Sequence, residues 1–147
     1  MSDTMSNEPS HEPPPFSHRM RVRFSEVDAQ AVVYNAHYLT YYDVTLVEYL
    51  RARGLEDPAL PPERGRDFVV KRAALEFDAA LRLDELFDVT CRVARIGRSS
   101  VTFALTIVRV GERSPCNRAE IIWVYTDMEK RQSVPVPEHL RTLLLGA

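Results

Sequence analysis

One apolar segment constrains the fold of this chain more than any other feature. From about Ala36 to Arg53 there is no proline or glycine, and Gly54 then ends the run. An uninterrupted run closed by glycine reads as a helix. Its apolar residues are Tyr38, Leu39, Tyr41, Tyr42, Val44, Leu46, Val47, Tyr49 and Leu50, interrupted by Thr40, Asp43, Thr45, Glu48 and Arg51. A helix apolar nearly all round is a buried helix. In a chain of 147 residues, something must enclose it.

The candidates for that enclosure are strands. Met20, Val22 and Phe24 alternate with arginine and serine, which predicts a strand over His18–Glu26. Residues 55–66 hold three prolines and Gly65 and read as a loop. Phe68–Asp78 reads as the next strand, with Phe68, Val70, Leu75 and Phe77 facing inward. Phe87, Val89, Cys91 and Val93 alternate with polar or small neighbours, as do Val101, Phe103, Leu105 and Ile107. Gly97-Arg98-Ser99 joins these two strands as a hairpin. Arg118–Thr126 is apolar on both faces, as in a central strand or one at a subunit interface. Pro137 opens a terminal helix, Glu138–Leu145. The order strand, long helix, four or five antiparallel strands and short helix is an α+β layer, one sheet wrapped around one helix. Such a sheet has an outer face to spare. Ile122 and Val124 make that face partly apolar, which predicts a subunit of an oligomer.

Composition narrows the function. Residues 1–17 hold four of the ten prolines and Asp3, Glu8 and Glu12, without Lys or Arg. They read as a disordered acidic tail before a single domain over residues 18–147. The remaining chain sets 19 basic side chains against 18 acidic ones, near-neutral and unlike a nucleic-acid binder. No stretch approaches ~18 apolar residues, so no membrane span is expected. The N-terminus lacks the pattern of a secretory signal, and a cytoplasmic protein is expected. Cys91 and Cys116 are too few for a disulfide framework or a four-cysteine zinc site. Cys91 falls in the apolar phase of its strand and reads as a small buried hydrophobe.

The chemistry centres on the mouth of the long helix. Asp28 lies in the loop before it, and Asn35 follows seven residues later. A helix N-terminus presents unpaired N–H groups and a partial positive charge. Such an end can hold a carbonyl oxygen as it turns negative. A nearby aspartate can attack the same carbonyl or activate water against it. A carboxylate of ordinary acidity, pKa ~3.9, is already ionised at pH 7. An aspartate in such a loop can equally serve only its turn.

The stretch VDAQAVVYNAHYLTYYDVTLVEYLRARGL (residues 27–55) resembles the signature of hotdog-fold thioesterases. The branch is that of 4-hydroxybenzoyl-CoA thioesterase and the Tol–Pal-associated acyl-CoA thioesterases. Residues 81–109 and 133–141 extend the resemblance. It implies a hotdog fold, an antiparallel sheet around one long buried helix, and hydrolysis of an acyl-CoA, or of an acyl group on a carrier protein. It implies Asp28 as the catalytic carboxylate and the backbone N–H near Asn35 as the carbonyl's donor. No metal or cofactor is implied, coenzyme A being part of the substrate. A homodimer or homotetramer is implied, with sites across subunit interfaces.

The resemblance also sets Arg98, Ser99 and Ser100 near the CoA phosphates, with Lys71, Arg92 and Arg95 as further contacts. Tyr34 and Tyr38 are candidate substrate contacts, although most tyrosines of the helix read equally as core. His37 reads as a helix or interface histidine. Two departures stand out: Asn35 where many relatives have His, and Ala31 where they have Gly. They motivate an alternative, a non-catalytic hotdog module that binds acyl thioesters or a protein partner. A hydratase would pair a histidine with an acid, and the nine-residue spacing of Asp28 and His37 does not match. No Gly-x-Ser-x-Gly elbow is present, so the serine-hydrolase route lacks support.

Overall fold

The computed structural model describes residues 15–146. Strand β1 (Phe16–Arg21) leads through a short 3-10 turn (Phe24–Glu26) to helix α1 (Asn35–Ala52). Then follow β2 (Arg66–Phe77), β3 (Leu86–Ile96), β4 (Ser100–Arg109), β5 (Asn117–Asp127), the two-residue β6 (Gln132–Ser133) and helix α2 (Glu138–Leu145). The strands form one antiparallel sheet in the order β1-β3-β4-β5-β2, with β6 paired to β5. Helix α1 lies on one face of it, the expected hotdog arrangement.

Alternation builds the core. Phe87, Val89 and Cys91 of β3, Val101, Phe103, Leu105 and Ile107 of β4, and Ile121 and Tyr125 of β5 are buried toward α1. Each such side chain contributes roughly 1.5–3 kcal/mol on burial. The helix answers with Tyr38, Tyr41, Tyr42, Thr45, Leu46 and Tyr49. A buried tyrosine needs a partner for its hydroxyl, and four find one. Tyr42 donates to Asn117 Oδ1 (2.7 Å), Tyr41 donates to Glu26 Oε1 (2.9 Å), Tyr49 donates to the Leu144 carbonyl, and Tyr38 Oη accepts the Leu81 N–H (3.0 Å).

The structure corrects several expectations. Helix α1 is not enclosed within one chain: Val44 and Val47 stay 40% and 38% exposed. The sheet covers only one face of it. On the helix side of β2, Val70 and Phe77 remain 55% and 52% exposed. Phe68 and Val70 share that side with Leu75 and Phe77 because a bulge between Val70 and Arg72 switches the phase. Strand β1 stops at Arg21, and Phe24, expected inward, is 84% exposed. There the Glu26 carboxylate accepts the Arg23 N–H (2.8 Å), and a turn displaces the strand. Residues 1–14 of the expected tail lie outside the described residues. Phe16 and Ser17 open β1, where Phe16 packs edge-on against Tyr49 at 5.6 Å.

Candidate active site

The loop between the 3-10 turn and α1 is closed at its base. Val27 bridges Val33, and the Tyr34 N–H donates to the Glu26 carbonyl (2.9 Å). Within the loop the Asp28 N–H donates to the Val32 carbonyl (2.9 Å), and the Ala31 N–H donates to the Asp28 carbonyl (3.0 Å). One carboxylate oxygen of Asp28, Oδ1, accepts the Gln30 N–H at 2.8 Å, an Asx turn that sets the side chain's direction. No bond to its other oxygen occurs among the described residues, and the residue is half-buried.

Ala31 takes φ 61. A positive φ is what glycine would relieve. The loop therefore keeps the geometry that glycine favours, and alanine bears the strain.

Helix α1 begins without a side-chain cap. The His37 N–H turns back to the Tyr34 carbonyl (2.9 Å). Asn35 and Ala36 are exposed, and their N–H groups have no backbone partner among the described residues. Two free donors thus sit at the positive end of an 18-residue helix.

Glu26 is a buried anchor of the candidate site that sequence reasoning missed. It is buried, its carboxylate holds Arg23 and Tyr41, and its carbonyl holds Tyr34. It ties the Asp28 loop to α1. Burial pushes its carboxyl up, but the Arg23 N–H and guanidinium and the Tyr41 hydroxyl outweigh that, and the net shift is downward. In sequence it was one acid at the end of an apparent strand, with no signal of burial.

The remaining candidates divide. Tyr34 is exposed, with the His37 ring edge-on at 6.1 Å. Tyr38 is buried between Tyr41 and Phe77 and anchors Leu81, which in turn accepts the Val33 N–H. It supports the loop from beneath and offers no free surface. Arg98, Ser99 and Ser100 lie in the β3–β4 hairpin. The Arg98 carbonyl accepts the Val136 N–H (2.9 Å), and the Ser99 carbonyl accepts the Tyr125 N–H (2.8 Å). A Cβ at Gly97 would fall 2.6 Å from Ser100 Oγ, so the serine side chain would have to turn away.

Ser99 and Ser100 share a concavity with Lys71, Thr126, Arg131 and Ser133, on the sheet face opposite α1. Two cations and four hydroxyls there suit phosphate oxygens. Thr126 belongs to β5, Ser133 to β6 and Arg131 to the turn between them, and their lone positions gave no sequence signal. Arg92 and Arg95 are exposed on β3 and do not line the concavity.

The two groups do not meet in one chain. Arg21, just before the Asp28 loop, pairs with Leu86 at the start of β3, and the hairpin follows Ile96 at its end. Eleven strand residues span roughly 33 Å. Among the described residues no cluster of three His, Cys, Asp or Glu side chains could hold a metal ion, and no helix is long and apolar enough to cross a membrane.

Residues 22–144 match the family model described as the thioesterase-like superfamily. The chain belongs to that family. Its relatives include the acyl-CoA thioester hydrolase YbgC of Escherichia coli O157:H7, 31% identical over 82% of this chain and 89% of the relative. The acyl-CoA thioesterase YbgC of Haemophilus influenzae is 29% identical over 86% and 91%. Among solved structures, a hypothetical protein from Aquifex aeolicus superposes with a TM-score of 0.80 at 25% identity, over 88% of this chain and 99% of that one. A 1,4-dihydroxy-2-naphthoyl-CoA thioesterase from Synechocystis gives 0.80 at 17% identity, over 88% and 94%, a likeness of fold.

Proposed function

We propose that this chain is an acyl-CoA thioesterase in which Asp28 acts on the thioester carbonyl at the N-terminus of α1. The observation that carries the reading is a half-buried carboxylate, aimed by the Gln30 N–H, in a loop tied to an uncapped helix start. The free N–H groups of Asn35 and Ala36 stabilise the oxyanion, each good donor being worth ~3–4 kcal/mol. Asp28 either attacks the carbonyl carbon or takes a proton from water that does. Either route ends in the free acid and the CoA thiol, with one water consumed. The oxyanion donors are backbone groups, so Asn35 in place of His leaves that role intact.

Coenzyme A takes its place through the Lys71, Arg131 and serine concavity. Because that concavity lies at the far end of the sheet from Asp28, the working enzyme is a homo-oligomer. One copy supplies the loop and its partner supplies the phosphate contacts. The named relatives support the hydrolytic reading.

The test is thiol release from a panel of aliphatic and aromatic acyl-CoAs by wild type and Asp28→Asn. The expected loss in the variant is at least ~100-fold, the usual weight of a positioned acid–base group. Turnover within twofold of wild type would remove Asp28 from the mechanism.

A further inference from the structure

Arg141 of α2 is half-buried, and its guanidinium reaches out to the β3–β4 hairpin. Its Nη2 donates to two successive carbonyls there, Gly97 (2.6 Å) and Arg98 (3.0 Å). Its Nε donates to the Val136 carbonyl, just before α2 (3.0 Å). The Arg98 carbonyl also accepts the Val136 N–H (2.9 Å), so both of its lone pairs are used. Carbonyls hold this guanidinium, and no carboxylate does among the described residues.

The helix that carries Arg141 does not explain its place. A cation near a helix N-terminus is opposed by the dipole, and Arg141 follows closely on Glu138, where α2 begins. The hairpin does explain it. The other tethers of its tip are backbone groups: the Ser99 carbonyl accepts the Tyr125 N–H, and the Gly97 N–H donates to the Ser100 carbonyl, each at 2.8 Å. Among the described residues, Arg141 is the one side chain that bonds residues 97–100 from outside the hairpin. Its platform is fixed, because Leu140 and Leu144 are buried and Tyr49 of α1 donates to the Leu144 carbonyl. Ser99 and Ser100, the next residues along the chain, line the Lys71–Arg131 concavity.

We propose that Arg141 is a positioning residue for coenzyme A. By holding Gly97 and Arg98 it fixes Ser99 and Ser100 where the phosphates are taken. The inference rests on the thioesterase reading and its placement of the coenzyme A handle. Arg141 does not line the concavity, so it acts through the hairpin and does not touch the phosphates. Its guanidinium also covers two carbonyl oxygens, whose partial negative charge would repel a phosphate. Loss of Arg141 weakens the grip on the nucleotide and leaves the reacting carbonyl, held at the Asp28 loop, undisturbed.

Arg141→Gln separates the two ends of this clamp. The glutamine amide ends where Nε stands, so it keeps its reach to Val136 and loses both hairpin bonds. KM for an acyl-CoA should rise about tenfold with kcat within about twofold, the weight of one charge-assisted hydrogen bond spent on binding alone. KM for the matching acyl-N-acetylcysteamine thioester, which has no phosphate, should not change. Arg141→Lys keeps the charge and most of the reach, and should bring KM for the acyl-CoA back to within about threefold of wild type. Arg141→Met, a stem without a donor, repeats the comparison should the glutamine variant not fold. A KM that rises equally for both thioesters, or a fall in kcat on both, marks a merely structural role and overturns the proposal. Calorimetric titration with coenzyme A alone reads the same site without turnover, and affinity should fall about tenfold in the variant. Equal affinities overturn the proposal. Hydrolysis that Asp28→Asn abolishes and Arg141→Gln leaves untouched removes Arg141 and keeps the thioesterase reading. Weakened coenzyme A binding in a protein that hydrolyses no acyl-CoA keeps Arg141 and removes that reading.

Discussion

Ala31 and Glu26 show what single residues contribute to this loop. At φ 61, a non-glycine residue costs about 1–2 kcal/mol. Glycine would remove that cost and return part of it as unfolded-chain entropy. Ala31→Gly should therefore stabilise the protein by roughly 0.5–1 kcal/mol, read as a higher urea midpoint at unchanged slope. Glu26 makes a different prediction. Its carboxyl sits below the ordinary value of 4.5 in the folded state. The stability this contributes is fully present above that value and is lost as pH falls through the lower folded value. Glu26→Gln should lower stability at neutral pH and flatten the acid limb of the stability profile, followed by thermal melts from pH 7 to pH 3. At this scale the sequence was legible for position, with Asp28 in the loop before α1 and Asn35 at the helix start. It was silent where backbone strain or burial decided, since neither Ala31 nor Glu26 differs in type from a bland neighbour.

Among the elements, the long helix was legible because it lacks breakers, and its boundaries fell within a residue of those expected. Its environment was not. Periodicity counts apolar residues and cannot say whether the group that covers them belongs to the same chain. The short first strand has a similar cause. Alternation continues to Ser25, but a side-chain bond from Glu26 to the Arg23 N–H turns the backbone early. The bulged β2 was readable in hindsight, from inward residues that pass from even to odd positions. The tyrosines of α1 were expected as core, and their hydroxyl partners come from distant segments. Tyr42→Phe leaves the Asn117 Oδ1 acceptor without its donor in a fully buried site. A loss of about 1–3 kcal/mol is expected, as for any stranded buried polar group, measured by chemical denaturation. Thioester hydrolysis in the surviving folded fraction should be unaffected, because that pair lies away from the Asp28 loop.

The whole molecule carries the Asp28 loop and the Lys71–Arg131 concavity toward opposite ends of one sheet, which the proposed function reads as two half-sites. A mixing experiment follows from this. Asp28→Asn and a Lys71→Ala/Arg131→Ala double variant should each be inactive alone. Unfolded together and refolded as a mixture, they should recover about a quarter of wild-type activity, because half the dimers are mixed and each mixed dimer keeps one intact site. No recovery, with mixed dimers verified by mass, would place both halves of the site in a single chain. The expectation of an oligomer rested on spare apolar surface. That surface proved to include the exposed face of α1 and the helix side of β2, as well as the outer sheet face from which it was inferred.

The roughly 33 Å between the Asp28 loop and the hairpin along β3 has a consequence for how the protein behaves in dilute solution. On the proposed reading, a chain that holds its reactive group and its handle for coenzyme A so far apart cannot use both on one substrate. Activity then becomes a property of the encounter between copies, and specific activity falls when the protein is diluted below its self-association constant. A damaged loop also leaves its bearer useful, since that copy still lends its handle to a neighbour.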